Sequence, residues 1–308
     1  MNAVHEIPAD ANVATMSLVV FFEDAVIGAL ARERIAMLAS KHPSRIIVFD
    51  ATKPQSSPRE ESADWFEVGA KGSDAQTLRS TAGSLRLAEV PAVLLWIAPA
   101  IGDERFTMLA EGVQTVVYNS SLLDIGYGAL CDLVAYVDRH PELPLADIAY
   151  LRLAPWQESV AIFFDGKDLD ELRDLQRVEI GCGSDPEAYY LLGWLASRLG
   201  WKPIGAAALV SRAGKRITFD IRREGEPRRI ARVALSSSYS TFVAEVATNG
   251  ETISLSVTGS SAHPRRYRAI GNPGIAALVE RAILWGRQDR IFNGALAAAG
   301  AILARREG

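Results

Sequence analysis

Few residues of this sequence have the type and spacing that catalysis or metal binding requires. Cys131 and Cys182 lie far apart and form no CxxC pair. No two histidines share metal-ligand spacing, and no serine lies in a G-x-S-x-G sequence. We therefore expect neither catalytic residues nor a bound metal or cofactor. The histidines are His5, His42, His140 and His263.

One glycine-containing turn could bind an anion. Gly181–Asp185 follows an apolar run and precedes a helical pattern, so helix amides could face a phosphate group there. The full G-x-G-x-x-G sequence is absent because Pro186 occupies its last position. A tight strand-to-helix turn is the preferred interpretation, and a sugar-phosphate or nucleotide-binding enzyme or sensor is the alternative. Cys182 could be an activated thiolate here, but a buried thiol is preferred.

Basic residues are concentrated in one region. Between Arg212 and Arg268 there are eleven lysines and arginines against five acidic residues, although the whole chain has a net charge of −4. Such a face could dock an acidic protein surface or a phosphate ligand, or it could simply be solvated. Nucleic acid is not expected as a partner, because aromatic residues are few in this region and no RNP-like motif accompanies them. A nucleic-acid-binding protein that uses the basic sheet is a further alternative.

Length and composition indicate a globular protein of two domains. The chain has 308 residues, of which 49% are hydrophobic and 23% charged. Its longest apolar run, Ala92–Ala98, is far shorter than the ~20 residues of a membrane span. Residues 1–15 have neither the basic nor the apolar part of a signal peptide, and we expect them to form a flexible tail. These features predict a cytoplasmic protein without a membrane partner.

The first half alternates strand-like and helix-like segments. Two apolar runs, Ser17–Phe22 and Ile46–Phe49, flank a segment with helical spacing. Ala92–Ala98 is apolar at every position, as in a central strand covered on both faces. Lys53–Glu61, rich in proline, serine and charge, predicts a loop. The alternation predicts a three-layer α/β N-terminal domain with a mostly parallel sheet over residues 16–146.

The second half has a different pattern. Residues 147–176 predict a bridging helical segment, with Pro155 in the first turn of a helix. Apolar and polar residues alternate in Ile217–Arg222, and Asn249-Gly250 is typical of a two-residue hairpin turn. Residues 177–308 therefore predict an α+β C-terminal domain, in which helices cover one face of an antiparallel meander.

Several segments, taken together and in order, are similar to one known protein family. The most specific of them, Asp147–Asp165, contains Leu151-Arg152-Leu153, Pro155-Trp156 and Phe163-Phe164-Asp165. The other segments are Thr15–Val20, His42–Val48, Val90–Trp96 and Leu192–Trp201. On these residues the chain resembles the OpcA family, the glucose-6-phosphate dehydrogenase assembly proteins.

The resemblance implies a non-enzymatic partner that binds glucose-6-phosphate dehydrogenase, favours its active oligomer and so promotes the oxidative pentose phosphate pathway. Redox control, known in photosynthetic members, is not carried over, because this chain has only two cysteines. We expect the surface around residues 147–165 and the basic meander to contact the dehydrogenase. The alternative is that Trp156 packs in the interior and Arg152 pairs locally. The expected partner-binding residues are Arg152, Pro155, Trp156, Arg222, Arg229 and Arg232.

Overall fold

The chain divides into two compact units. They comprise Met1–Ala98 with Glu104–Val116, and Pro99–Asp103 with Val117–Gly308. Apart from its last two residues, the tail expected over 1–15 lies outside the described residues, and the domain boundaries expected at 146 and 176 stay predictions. The computed structural model describes residues 14–99, 101–121, 127–165, 169–227, 229–271, 274–285 and 289–307.

The first unit is built on a mostly parallel sheet. Its elements are β1 (Met16–Phe22), α1 (Ala25–Ala39), β2 (Ser44–Pro54), β3 (Arg59–Ser62), β4 (Trp65–Lys71), α2 (Ala75–Leu85), β5 (Ala92–Ile97), α3 (Glu104–Ala110) and β6 (Thr115–Tyr118). Strand β1 pairs in parallel with β2 and β5, and β4 pairs in parallel with β2. Every residue of β1 and β5 is buried, and all of them except Ser17 are apolar. This confirms the α/β fold class expected for the first half.

The loop expected over Lys53–Glu61 is wrong in part. Strand β2 continues to Pro54, and Arg59–Ser62 forms strand β3, which pairs antiparallel with β4. All four side chains of β3 are exposed. A strand at the edge of a sheet needs no apolar side chain when both of its faces meet water, so apolar periodicity could not reveal it.

The second unit contains an eight-stranded, mostly antiparallel sheet and most of the helices. Its helices are α4 (Gly128–Arg139), α5 (Ile148–Leu151), α6 (Ala154–Ile162), α7 (Leu169–Arg173), α8 (Asp185–Leu199), α9 (Ile275–Trp285) and α10 (Arg290–Glu307). Its strands are β7 (Leu145–Asp147), β8 (Arg177–Gly183), β9 (Lys202–Gly205), β10 (Ala208–Val210), β11 (Arg216–Pro227), β12 (Ile230–Ser236), β13 (Ser240–Val246), β14 (Thr252–Gly259) and β15 (His263–Ala269).

The strand order shows how the predicted meander is completed. The sheet of the first unit has the order β3-β4-β2-β1-β5-β6, and the sheet of the second unit has the order β15-β14-β13-β12-β8-β11-β10-β9. In the second sheet β8 lies between β12 and β11, antiparallel to the first and parallel to the second. A hairpin at Asn249-Gly250 is confirmed, because these residues join antiparallel β13 and β14 and Gly250 has a φ of 70°. The predicted two-residue turn is wrong, because Ala247 N donates to Thr252 O and the loop between them is longer. The α+β fold class of the second half is also confirmed.

Helices α8 and α10 pack closely against each other in the second unit. Gly193 of α8 lies directly against the backbone of α10 at Ala295 and Ala299. A residue without a side chain is therefore required at this helix crossing. In the described part of the chain, no helix combines the length and the apolar character that crossing a membrane requires.

Candidate functional site

A cavity of about 200 Å³ lies within the second unit, at one end of the eight-stranded sheet. Its walls come from the end of α5 and the start of α6, from the first turn of α8, from the ends of β11, β12 and β13, and from the residues that follow β11, β13 and β15. Four of the expected partner-binding residues, Arg152, Pro155, Trp156 and Arg229, line this pocket. Sequence reasoning did not single out its two acidic residues, Glu187 and Glu226.

Asp147 fixes the start of the helical segment that carries Arg152. Its Oδ1 accepts hydrogen bonds from the backbone nitrogens of Ala149 (2.8 Å) and Ser120 (3.2 Å), and its Oδ2 accepts one from the Tyr190 hydroxyl (2.9 Å). Burial raises the pKa of Asp147, and these hydrogen bonds oppose that rise. Because α5 has only four residues, capping by Asp147 also determines where Arg152 lies at its C-terminal end.

Helix α6 supplies the apolar wall of the pocket. Pro155 lies in the first turn of α6. Backbone N–H groups in a first turn have no partner within the helix, so proline, which has no N–H group, is tolerated there. Trp156 is 5% exposed, so little of its side chain is open to a partner. Contact of either residue with a partner stays a prediction.

A buried ion pair joins α5 to α8. Arg152 Nη1 donates to Glu187 Oε1 at 3.0 Å and to Ser121 Oγ at 3.1 Å. The side chain of Glu187 is 2% exposed and that of Arg152 is 20% exposed. Burial raises the pKa of Glu187 to about 7, although the charges of Arg152 and Arg229 act to lower it. The pocket therefore contains a carboxyl group that titrates near neutral pH.

Replacing Glu187 by glutamine should change how stability depends on pH. The ordinary pKa of a glutamate is 4.5, whereas that of Glu187 in the fold is about 7. Between these values the folded chain binds more protons than the unfolded chain, so Glu187 makes the free energy of unfolding fall as pH rises. Relative to the natural chain, we expect the free energy of unfolding of Glu187→Gln to rise by about 1–3 kcal/mol from pH 4.5 to pH 7. Urea unfolding at several pH values measures this difference, and a constant difference would contradict it.

A sequence signal for Glu187 existed but pointed to another role. Ser184 and Glu187 have the S-x-x-E spacing of a capping box, in which the glutamate accepts from the N-cap nitrogen. In the structure the Ser184 nitrogen donates to Cys182 Sγ at 3.3 Å, and the glutamate accepts from Arg152. Only the fold, which brings α5 beside the first turn of α8, reveals that ion pair.

The turn considered as an anion cradle is surrounded by carboxylates. A Cβ atom at Gly181 would overlap the Glu224 carboxylate, and Asp185 and Glu187 occupy the first turn of α8. Cys182 is 1% exposed, and burial raises the pKa of its thiol. Carboxylates repel phosphate at a helix N-terminus, and a buried neutral thiol is a poor nucleophile. None of the five turn residues lines the described pocket.

The two other expected residues, Arg222 and Arg232, lie on the polar face of the eight-stranded sheet. In the strand register, Arg222 of β11 and Arg232 of β12 both lie opposite Gly181 of β8, which runs between these two strands. Their guanidinium groups lie 3.2 Å and 3.7 Å from the Glu179 carboxylate, which Arg177 also contacts at 2.7 Å. We call Arg177, Arg222 and Arg232 around Glu179 the arginine cluster. Arg222 also pairs with Asp220 at 2.7 Å, so the three positive charges of the cluster face two carboxylates.

Acidic residues from other elements neutralise part of the basic meander. Arg223 pairs with Asp185 at 2.7 Å, and Arg268 and Lys215 pair with Glu158 and Asp174. Arg229, which lines the pocket, is held less closely. Its Nε atom lies 3.6 Å from the Glu226 carboxylate, whereas Arg223 lies 2.7 Å from that of Asp185. Among the described residues, no group of three or more histidine, cysteine or acidic side chains could hold a metal ion.

Comparison with solved structures defines the class of fold. One similar structure is an aldose-aldose oxidoreductase from Caulobacter crescentus. The superposition covers 95% of this chain and 96% of the oxidoreductase chain, with a TM-score of 0.52 and 13% identity. Another is a super-repressor mutant of Gal80p from Saccharomyces cerevisiae. That superposition covers 96% of this chain and 95% of the Gal80p chain, with a TM-score of 0.53 and 8% identity. At such identities the likeness shows the fold alone, and this fold occurs in an oxidoreductase and in a repressor.

Sequence comparison then gives the family. A family model described as the C-terminal domain of a glucose-6-phosphate dehydrogenase subunit matches residues 143–296. Because the match covers half of the chain, this protein belongs to the OpcA family. The putative OxPP cycle protein OpcA of Nostoc punctiforme is 35% identical over 125 residues, and that of Synechococcus elongatus is 29% identical over 143. These matches cover 39% and 44% of this chain, but only 26% and 32% of the relatives' lengths.

Proposed function

We propose that this protein is a non-enzymatic assembly factor in the bacterial cytoplasm. It binds glucose-6-phosphate dehydrogenase and favours the active oligomer of that enzyme, and so promotes the oxidative pentose phosphate pathway. The observation that carries this proposal is the family match over residues 143–296, whose description names a subunit of this dehydrogenase. All residues that line the pocket, and the whole arginine cluster, fall within that match.

The first strand-to-helix turn supports a role other than dinucleotide chemistry. In dinucleotide-binding α/β folds, the amides at the N-terminus of the first helix hold the pyrophosphate. Here Asp24 is the N-cap of α1, and its Oδ1 accepts hydrogen bonds from the backbone nitrogens of Val26 (2.9 Å) and Ile27 (2.8 Å). A carboxylate of the chain itself therefore occupies the place that a phosphate would need.

Strand β2 has a similar arrangement at Asp50. Asp50, which is 2% exposed, lies where such folds hold the cofactor ribose. Its carboxylate instead accepts from Arg32 Nη2 at 2.7 Å and from the Thr52 hydroxyl at 2.5 Å. Arg32 also binds Glu67 at 2.7 Å, and these bonds hold the pKa of both carboxyls below their ordinary values. The group that would bind ribose is thus engaged within the chain.

Assembly by binding requires a difference in affinity. A protein that bound every oligomeric state of the dehydrogenase equally well would shift no equilibrium. We propose that the exposed residues Arg222 and Arg229 and the half-buried Arg232 contact an acidic surface present only in the active oligomer. In this arrangement Arg152, Pro155 and Trp156 act by forming the pocket wall, since two of them are largely buried.

Charge reversal in the arginine cluster tests this surface. The double variant Arg222→Glu/Arg232→Glu should bind the dehydrogenase of the same organism at least about tenfold more weakly than the natural chain, because like charges then face each other. Calorimetric titration measures the affinity. Arg173→Glu is the matched control, since Arg173 is an exposed arginine of α7 that pairs with Asp170.

The outcomes separate the surface from the function. If the natural chain binds and the double variant binds equally well, the assignment of the arginine cluster is wrong, while the proposed function stands. If the natural chain neither binds the dehydrogenase nor changes its oligomeric state, the proposed function itself is wrong.

A further inference from the structure

The pocket combines an apolar body with a charged cluster. Its apolar side chains are Pro155, Trp156, Ile230, Ala231, Val246 and Ile270. An apolar protein cavity of about 150 Å³ can bind benzene, so a cavity of about 200 Å³ accommodates one phenyl ring or branched alkyl group together with a small polar group. The size of the pocket therefore indicates a small ligand.

The guanidinium group of Arg152 has donors to spare. Both of its hydrogen bonds run from Nη1, one to Glu187 and one to Ser121. Within the described residues, its Nη2 and Nε atoms donate to no other group. These two nitrogens form the fork that binds a carboxylate through two parallel hydrogen bonds.

The charge balance favours an anion with a single charge. Two arginines, Arg152 and Arg229, line the pocket together with two glutamates. Glu187 is buried, whereas the side chain of Glu226 is 80% exposed and therefore solvated. Arg229 pairs with this solvated carboxylate at 3.6 Å. The fork of Arg152 is left for a ligand and fits one carboxylate, whereas a phosphate dianion would add excess negative charge beside Glu187.

We propose that this pocket binds a small monocarboxylic acid with an apolar body, whose carboxylate lies on Arg152 and Arg229 and whose body packs against Trp156, Val246 and Ile270. The carboxylate could belong to a free acid or to the C-terminal residue of a polypeptide. This inference concerns the isolated chain and does not depend on the proposed function, so it is tested without the dehydrogenase.

The test is calorimetric titration of the isolated chain with matched probes. N-acetyl-L-phenylalanine and 3-phenylpropionate carry both the carboxylate and the ring. N-acetyl-L-phenylalaninamide lacks the charge, acetate lacks the ring, and phenyl phosphate replaces the carboxylate by a dianion. We expect at least one of the first two to bind about tenfold or more tightly than each of the other three. Tighter binding of N-acetyl-L-phenylalanine indicates a polypeptide terminus, and equal or tighter binding of 3-phenylpropionate indicates a free acid.

Two variants locate the binding in the pocket. Arg229→Gln should weaken binding of the carboxylates about tenfold, since a hydrogen bond between charged groups is lost. Val246→Phe should fill the cavity and weaken binding at least as much. Val243→Phe is the matched control, because Val243 lies on the same strand and does not line the pocket. The inference is overturned if neither carboxylate binds better than the uncharged amide, or if Arg229→Gln and Val246→Phe bind like the natural chain.

Discussion

Gly193→Ala should lower the free energy of unfolding by about 2 kcal/mol. The new Cβ atom would overlap the carbonyl oxygen of Ala295 and lie 2.9 Å from the backbone nitrogen of Ala299. Both are backbone atoms, so α8 and α10 would have to separate, and overpacking of this kind typically costs up to about 3 kcal/mol. The higher helix propensity of alanine offsets this by at most about 1 kcal/mol. Urea unfolding followed by circular dichroism measures the change.

Gly294→Ala is the matched control on the opposite helix. At this position the nearest atom to a new Cβ would be Ser197 Cβ at 3.6 Å, an ordinary packing distance. The substitution therefore gains helix propensity without a clash and should stabilise the protein by up to about 1 kcal/mol. Equal destabilisation by both substitutions would show that helix packing at Gly193 is not the cause.

Arg152→Met should also lower the free energy of unfolding by about 3 kcal/mol at neutral pH. Methionine keeps most of the volume of the arginine side chain, but it leaves the Glu187 carboxylate buried without its cation. Removing one partner of a buried ion pair typically costs about 3–5 kcal/mol. The lower end applies here because Glu187, whose pKa is already about 7, takes up a proton readily. Urea unfolding at pH 7 measures the loss.

A double variant distinguishes charge from packing. Arg152→Met/Glu187→Gln has no uncompensated charge, so it should be more stable than Arg152→Met by at least about 1 kcal/mol. The cost of Arg152→Met should also decrease as the pH is lowered below 7, because Glu187 is then protonated in the natural chain as well. A cost that does not change with pH, together with no recovery in the double variant, would contradict the proposed role of the ion pair.

Much of the fold follows from the sequence because the core strands have distinctive patterns. The fully apolar run at Ala92–Ala98 requires cover on both faces, and Asn249-Gly250 determines a hairpin locally. Two features could not be predicted. Strand β3 has only exposed side chains, and the place of β8 between β11 and β12 depends on pairing between distant segments. Local patterns specify elements, but they do not specify which distant strands pair.

The candidate site was predictable only in part. Arg152, Pro155 and Trp156 were expected on resemblance to a family, and Arg229 on local charge, yet nothing in the sequence placed the four around one cavity. Glu187 was missed, because its spacing from Ser184 indicates a capping role that the fold replaces by an ion pair. The basic excess of the meander was partly misleading, since Asp174, Asp185 and Glu158 lie outside it in sequence and pair with it in space.

The interpretation as an assembly factor has a consequence for how activation depends on concentration. If binding favours the active oligomer, the gain in activity is largest where the free dehydrogenase is mostly dissociated. It should decline towards zero at dehydrogenase concentrations where the oligomer forms unaided. Activation that is equal at all concentrations would instead indicate a direct effect on the active site.

The most direct measurement is therefore the activity of the dehydrogenase from the same organism, titrated with this protein at several dehydrogenase concentrations, with light scattering on the same samples. We expect a saturable increase in activity that accompanies an increase in the mass of the oligomer, with the largest effect at the lowest dehydrogenase concentration. Neither a complex nor a change in activity at any concentration would contradict the account.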